Sequence, residues 1–185
     1  MEESLNKINQ LDAEGNRTGY WESYFSNGRL IWKGYFEKGL KNGYWEFYFF
    51  DGTLSCKCYY EKGERIGYWE SYFSNGRLSW KGYYEKGKRS GYWEDYCLDG
   101  TLNCNGHYEK GMPVGYWEYH FPSGLLNHKG NYENGKRAGW WEYYNCYGKL
   151  SSKAYYDKYE RVSYKEDFSS SGKLAKKQFY GRNCE

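Results

Sequence analysis

The sequence has few of the features that mark membrane, secretory or catalytic proteins. Only 2 of its 185 residues are proline, and no apolar run approaches the ~20 residues that a membrane-spanning helix needs. The first ten residues also lack the apolar stretch of a signal peptide. The sequence therefore predicts a cytoplasmic location.

Charge and reactive side chains exclude further classes. The formal net charge is only +3, which does not argue for a nucleic-acid partner. The cysteines recur too irregularly for a disulfide framework, and reduced thiols are expected. They are Cys56, Cys58, Cys97, Cys104, Cys146 and Cys184. Cys56-x-Cys58 has no histidine to complete a zinc site, and no nucleophile elbow or phosphate loop is visible. We expect a protein without enzymatic activity, cofactor or metal.

Aromatic residues are abundant, at 23%, and they are arranged in a unit of 24 residues that opens with Gly-Tyr-Trp-Glu. Copies begin at Gly19, Gly43, Gly67, Gly91, Gly115 and Gly139, and a decayed seventh copy begins at Ser163. A fixed period of this length is typical of repeat proteins. We expect a leader and partial repeat in residues 1–14, a repeat array in 15–162, and a degenerate, capping repeat in 163–185.

Each repeat contains two runs that alternate aromatic and polar residues around a glycine turn, as in Tyr68 to Phe73 and Leu78 to Tyr84. This pattern predicts a β-hairpin, and Asn75-Gly76 between the runs predicts a two-residue primed turn. The glycines of this column are structural, and they include Gly28, Gly52, Gly76 and Gly100. The predicted fold is all-β, an elongated, single-layer antiparallel meander of β-hairpins.

The turn also predicts which residues face each other. In the first repeat, one face should pair Phe25 with Leu30, Ser23 with Trp32, and Trp21 with Gly34. The other face should pair Tyr24 with Ile31, Glu22 with Lys33, and Tyr20 with Tyr35. Opposite charges recur at the Glu and Lys positions of every repeat except the fourth, where Glu94 faces Asn105. Cross-strand pairing is therefore the preferred role of the glutamates.

Two columns of aromatic residues compete as binding surfaces. The tryptophans are assigned to the structural repeat, with a stacking platform for sugars or bases as the alternative. They are Trp21, Trp45, Trp69, Trp93, Trp117 and Trp141. The tyrosines share a face with the charged ladder, and together with two histidines they are the candidate partner-binding residues. These are Tyr20, Tyr44, Tyr68, Tyr92, Tyr116, Tyr35, Tyr59, Tyr83, His107 and His120.

The segment Gly82 to Tyr96, followed by Asp99-Gly100-Thr-Leu, carries the skeleton Gly-x-Tyr-x-x-Gly-x-x-x-Gly-x-Trp. It resembles the MORN-repeat variant found in bacterial YwqK-type proteins. The resemblance covers about Gly15 to Tyr180 and implies a β-hairpin array. It also implies an antitoxin or immunity protein of a toxin–antitoxin system, or a scaffold with affinity for acidic phospholipids.

The leading prediction is a protein–protein interaction module that occludes a toxin enzyme through its tyrosine-rich face. The alternatives are a membrane scaffold that binds acidic phospholipid along a basic linker edge, and a homodimer formed through one face. The predicted basic edge comprises Lys38, Lys41, Lys62, Arg65, Lys86, Arg89, Lys110, Lys136 and Arg137. Glutamates between these residues favour a solubilising role for that edge.

Repeat proteins gain stability by stacking neighbours, and an isolated two-stranded hairpin is marginal in water. We expect an in-frame deletion of residues 43–66 to leave a folded protein, because it removes one complete repeat. A peptide of that repeat alone should be unfolded by circular dichroism. A folded peptide would contradict the repeat interpretation.

Overall fold

The computed structural model describes residues 8–180 and divides the chain into two compact parts, Met1–Arg89 and Ser90–Glu185. The secondary structure of the described residues consists of strands and turns. The strands are β1 (Gln10–Leu11), β2 (Arg17–Tyr24), β3 (Leu30–Glu37), β4 (Leu40–Tyr48), β5 (Leu54–Glu61), β6 (Glu64–Tyr72), β7 (Leu78–Glu85), β8 (Lys88–Tyr96), β9 (Leu102–Glu109), β10 (Met112–His120), β11 (Leu126–Glu133), β12 (Lys136–Tyr144), β13 (Leu150–Tyr156), β14 (Val162–Phe168) and β15 (Leu174–Phe179).

Within each part, neighbouring strands pair antiparallel in the order in which they occur along the chain. The predicted all-β meander of hairpins is therefore confirmed. The decayed seventh copy also forms a hairpin, because β14 pairs with β15 from Tyr164 to Phe168. Between residues 8 and 180 there is no helix of the length and apolarity required to cross a membrane. The boundaries proposed at residues 14/15 and 162/163 stay predictions.

The hairpin turn at Asn27-Gly28 differs from the predicted two-residue primed turn. Gly28 N–H donates to Phe25 O at 2.9 Å, and Phe25 N–H donates to Arg29 O at 2.8 Å, so the loop contains three residues. Only Gly28 has a positive φ, of 80°, whereas a primed type I turn needs positive φ at both central residues. The arrangement is that of a type I turn closed by a left-handed glycine.

The longer loop shifts the register at the top of the hairpin. Tyr24 pairs with Leu30, and the expected pairs Tyr24–Ile31 and Phe25–Leu30 are wrong. Ile31 is the extra residue of a bulge, because below it the strands return to the predicted register. The pairs Ser23–Trp32, Glu22–Lys33, Trp21–Gly34 and Tyr20–Tyr35 are confirmed.

Two-residue primed turns do occur, but they lie between the repeats. Lys38 and Gly39 have φ of 49° and 77°, and Glu37 pairs directly with Leu40 across them. A second positive-φ glycine therefore lies between successive hairpins, as at Gly39, Gly63 and Gly87. The sequence pattern did not predict this turn type. Lysine occupies its first left-handed position, where asparagine or glycine would be the usual signal.

Tryptophans are the largest buried side chains among the described residues. Trp45, Trp93, Trp117 and Trp141 are almost wholly buried. The Trp45 ring lies on the backbone of Gly34 in the neighbouring strand, and a Cβ added to Gly34 would come within 2.3 Å of Trp45 Cδ2. The same arrangement joins Trp117 to Gly106 and Trp141 to Gly130. Glycine is therefore required at these positions by the ring above it and not by a left-handed backbone.

The glycine column also accepts a side chain. Cys58 occupies the position of Gly34, and the tryptophan of the next strand, Trp69, donates its Nε1–H to Ile66 O of its own strand at 3.0 Å. Trp141, which lies over Gly130, donates to Asn131 O on the neighbouring strand at 3.1 Å. Trp93, which has Gly82 in its column, donates to Ser90 O of its own strand at 3.2 Å, so the choice of acceptor does not follow from the size of the column residue alone.

We expect Gly130→Ala to destabilise the protein by about 1–3 kcal/mol, because the new Cβ would lie about 2.4 Å from Trp141 Cδ2 and the ring must turn. Chemical denaturation measures the loss. In NMR spectra, the Trp141 indole N–H signal should move as the ring turns and its bond to Asn131 O is disturbed.

Ala154→Gly is the matched control, since Ala154 lies in the same column and also pairs with a tryptophan on the preceding strand, Trp141, but faces Lys165 on the next strand where Gly130 faces Trp141. It should cost about 1–2 kcal/mol, through chain entropy and the loss of a buried methyl group. A stabilising Ala154→Gly or a neutral Gly130→Ala would contradict the proposed role of the indole.

Candidate protein-binding face

The two faces of each sheet carry different side chains, since alternate residues of a strand point to opposite sides. We call the side with Trp21, Gly34 and Phe36 the tryptophan face, and the side with Tyr20, Glu22, Lys33 and Tyr35, together with their counterparts in the other repeats, the tyrosine face. The candidate residues Tyr20 and Tyr35 are neighbours there, with ring centroids 5.2 Å apart. Two further pairs have nearly the same spacing, Tyr44–Tyr59 at 5.2 Å and Tyr68–Tyr83 at 5.1 Å.

The predicted Glu–Lys register is confirmed along the tyrosine face. The facing residues are Glu22–Lys33, Glu46–Lys57, Glu70–Lys81, Glu118–Lys129, Glu142–Lys153 and Glu166–Lys177, with Glu94 opposite Asn105. The ion pairs also join successive hairpins. Lys153 Nζ lies 2.7 Å and Lys129 Nζ 3.6 Å from the carboxylate of Glu142, one lysine from each neighbouring strand. The charges therefore form a ladder that continues across the strands.

The tyrosines are tied to this ladder by hydrogen bonds that the sequence analysis missed. Tyr44 OH donates to Glu46 Oε1 at 2.8 Å, and Tyr48 OH donates to Glu46 Oε2. Tyr20 and Tyr24 hold Glu22 in the same way. The signal was present as the spacing Tyr-x-Glu-x-Tyr, because residues two apart on a strand share a face.

These bonds fix the protonation states of the face. Burial and the hydrogen bond to Glu22 raise the pKa of Tyr20 to about 12. Partial burial by itself would raise the pKa of Glu46, but hydrogen bonds from Lys33, Tyr48 and Tyr44 outweigh it and lower that pKa below its usual value. At neutral pH the face therefore presents protonated phenols around charged carboxylates.

The second tyrosine of each pair is the more exposed one. Tyr35 is 54% exposed, Tyr83 53% and Tyr59 43%, compared with 38% for Tyr44. Within residues 8–180, the hydroxyls of Tyr35 and Tyr59 have no hydrogen-bond partner in the protein, whereas Tyr20 and Tyr44 are bonded to glutamate. The face thus combines fixed rings with rings whose hydroxyls can bond a partner.

The histidine candidates lie on the same face but differ in environment. His107 takes the place of a tyrosine, is exposed, and has its ring 5.1 Å from that of Tyr92. His120 is half-buried, and its Nδ1 is buried without a hydrogen-bond partner among the described residues. Tyr116 is 48% exposed, and it pairs with Asn131 where other repeats have an aromatic ring.

The basic linker residues do not share one edge. Lys38, Lys62, Lys86 and Lys110 occupy the first position of the primed turns and are exposed. Lys41, Arg65 and Arg137 instead lie over indole rings on the tryptophan face. Their charged groups are 4.7 Å, 5.5 Å and 4.6 Å from the ring centroids of Trp45, Trp69 and Trp141. Burial lowers the pKa of Lys41. Three of the nine residues of the predicted edge therefore serve packing, through cation–π contacts.

The cysteines within residues 8–180 form no disulfide, and Cys184 lies outside the described residues. In the same range no group of three or more His, Cys, Asp or Glu side chains has the proximity that a metal ion would require. No protein-family sequence model matches the chain, and no curated protein is significantly similar to it.

We expect Glu46→Gln to destabilise the protein by about 1–2 kcal/mol at pH 7, because it removes an ion pair and two charge-assisted phenol bonds. The folded-state pKa of Glu46 is lowered. Its contribution is therefore present above the unfolded glutamate pKa, about 4.3, and is lost as the pH falls through the lowered folded-state value. Urea denaturation should show a difference between wild type and variant at pH 7 that shrinks as the pH is lowered below about 4.3.

Glu118→Gln is the matched control, since Glu118 accepts one longer hydrogen bond, from Tyr116 at 3.2 Å. Its cost at pH 7 should be the smaller of the two. Equal losses for both variants at pH 7, or a Glu46→Gln loss that does not shrink on acidification, would count against the role assigned to the Glu46 carboxylate.

Proposed function

We propose that this chain is a non-enzymatic protein-binding module that occludes a partner enzyme with its tyrosine face. The observation that carries the proposal is the row of exposed tyrosines, each packed beside a less exposed tyrosine that contacts the charged ladder. Tyr35, Tyr59 and Tyr83 are each at least 43% exposed. Large aromatic side chains of this kind supply the anchor residues of protein interfaces.

Preorganisation adds to this case. A tyrosine that is free to rotate loses entropy when a partner immobilises it, and that loss weakens binding. Here Tyr44 is bonded to Glu46, its ring lies beside Tyr59, and Glu46 is paired with Lys33 at 2.8 Å. The rings therefore have little freedom left to lose on binding.

The repeated side-chain pattern of this face favours binding over an extended surface and does not favour catalysis. A catalytic site brings different groups together once, whereas this face repeats tyrosine, glutamate and lysine in successive hairpins. The tryptophans are poor candidates for stacking with sugars or bases, because Trp45, Trp93, Trp117 and Trp141 are buried. The tyrosine face, which combines aromatic rings with charged side chains, suits a protein partner better than a sugar or a base.

The nature of the partner rests on the resemblance to YwqK-type proteins, which suggests a toxin enzyme and hence an antitoxin or immunity role. A lipid scaffold has less support. The exposed turn lysine Lys38 follows Glu37, and Lys41 is engaged with rings on the tryptophan face. Anionic membrane binding strengthens with the number of cations available near the surface.

The test is affinity capture from a native cell extract with the full chain, followed by identification of the bound protein. We expect a partner that wild type retains and that the double variant Tyr35→Ala, Tyr59→Ala loses, with affinity reduced about 100-fold or more, as for two interface anchors. Purified chain should then inhibit the captured enzyme at a one-to-one ratio.

Tyr147→Ala is the matched control, because Tyr147 is 81% exposed but lies in a turn, away from the tyrosine face. It should bind as wild type does. Capture that survives the double variant would refute the proposal. Salt-sensitive sedimentation with anionic vesicles would favour the scaffold, and self-association lost in the double variant would favour a homodimer.

A further inference from the structure

On the tryptophan face of the second part, hydroxyl groups gather around one arginine. Arg137 Nη1 donates to Tyr143 OH at 3.0 Å and to Tyr156 OH at 3.1 Å, and these two hydroxyls are 2.7 Å apart. The hydroxyls of Tyr119 and Tyr132 form a second pair, 3.1 Å apart. We call these five residues the Arg137 cluster.

The register explains how these groups meet. His128 pairs with Tyr119 on one side and with Tyr143 on the other, so a row of rings crosses three strands. The His128 ring is nearly parallel to that of Tyr119, with centroids 4.3 Å apart. Burial and the nearby Arg137 lower the pKa of His128 to about 4, so this ring is neutral at physiological pH.

The charge of Arg137 is not neutralised by the groups that hold it. Its side chain is half-buried, and in the described part of the chain its guanidinium contacts are phenol oxygens and aromatic rings. The carboxylate of Glu160 accepts from the Arg137 backbone N–H, and Asp157 pairs with Arg161 at 3.4 Å. A partly buried cation with only neutral partners is a favourable place for an anion.

Hydrogen-bond donors also remain unused. Each phenol pair has two hydroxyl hydrogens and needs one to join its members, which leaves one hydrogen per pair. The guanidinium has five N–H groups, of which the two on Nη1 are bonded to Tyr143 and Tyr156, and the Tyr132 hydroxyl is a further hydrogen-bond partner, so N–H groups remain available. Donors therefore converge from an arginine and from two pairs of tyrosines.

The corresponding cations of the first part have different surroundings. Lys41 lies over the rings of Trp45, Phe47 and Tyr60, and Phe47 has no hydroxyl where the later repeat has Tyr143. Arg65 donates to a single hydroxyl, that of Tyr84, at 3.2 Å. Arg65 thus supplies a control in the same column, with the cation–π contact but without the paired phenols.

We propose that the Arg137 cluster binds a small oxyanion, the carboxylate, phosphate or sulfate group of a small molecule. Arginine offers a fork of donors that matches the oxygens of such groups. The phenol hydroxyls complete the set of donors from the neighbouring strands. This site lies on the face opposite the tyrosine face and does not depend on the proposed protein partner.

The test is a titration of the full chain with sodium acetate, phosphate or sulfate at constant ionic strength, set with chloride. NMR signals of the Trp141 indole N–H and the Arg137 side chain report binding, since the two groups are in contact. We expect saturable shifts with at least one anion. The affinity should fall about tenfold or more in Arg137→Gln and stay unchanged in Arg65→Gln.

A second variant tests the proposal even if Arg137→Gln does not fold. Tyr143→Phe with Tyr156→Phe keeps the rings and removes the hydroxyls, so it should remain folded and bind the anion several-fold more weakly. The anion that saturates at the lowest concentration identifies the group recognised. Shifts that stay linear for all three anions, or equal weakening in Arg65→Gln and Arg137→Gln, would overturn the proposal.

Discussion

The contact on which this fold depends is an indole ring lying flat on a glycine of the neighbouring strand. A sheet without a second layer cannot bury its side chains between layers, so each strand has to cover the next one. Trp45 over Gly34 and Trp141 over Gly130 achieve this burial within one face. Cationic side chains then close the surface, with Lys41 over Trp45 and Arg137 over Trp141.

Burial on one face allows the other to stay exposed. Because the tryptophans hold neighbouring strands together, the tyrosine face need not be covered to stabilise the fold. The Glu–Lys ladder positions the tyrosine rings beside it. Its ion pairs lie near the surface and contribute little to the free energy of unfolding. Tyr44, bonded to Glu46 and packed beside Tyr59, illustrates how rigidity and exposure coexist.

The period and the alternation of the sequence were sufficient to predict the strands, the two faces and the Glu–Lys register. The turns were not, because Asn27-Gly28 and Lys38-Gly39 each suit more than one loop geometry. The bulge at Ile31 could not be predicted, since it compensates for a loop that is one residue longer than expected. The bonds from Tyr44 and Tyr48 to Glu46 were implicit in their spacing, but only a known register shows that they meet.

Packing against the indole rings limits which residues can vary between repeats. Cys58 replaces a glycine in the column that pairs with the tryptophans. Phe47 and Tyr143 occupy one column with similar rings, and the added hydroxyl changes what the nearby cation contacts. Small changes at positions beside the tryptophans therefore alter the chemistry of a surface while leaving the fold unchanged. The array can carry a repeated surface on one face and a local site on the other because the same contact supports both.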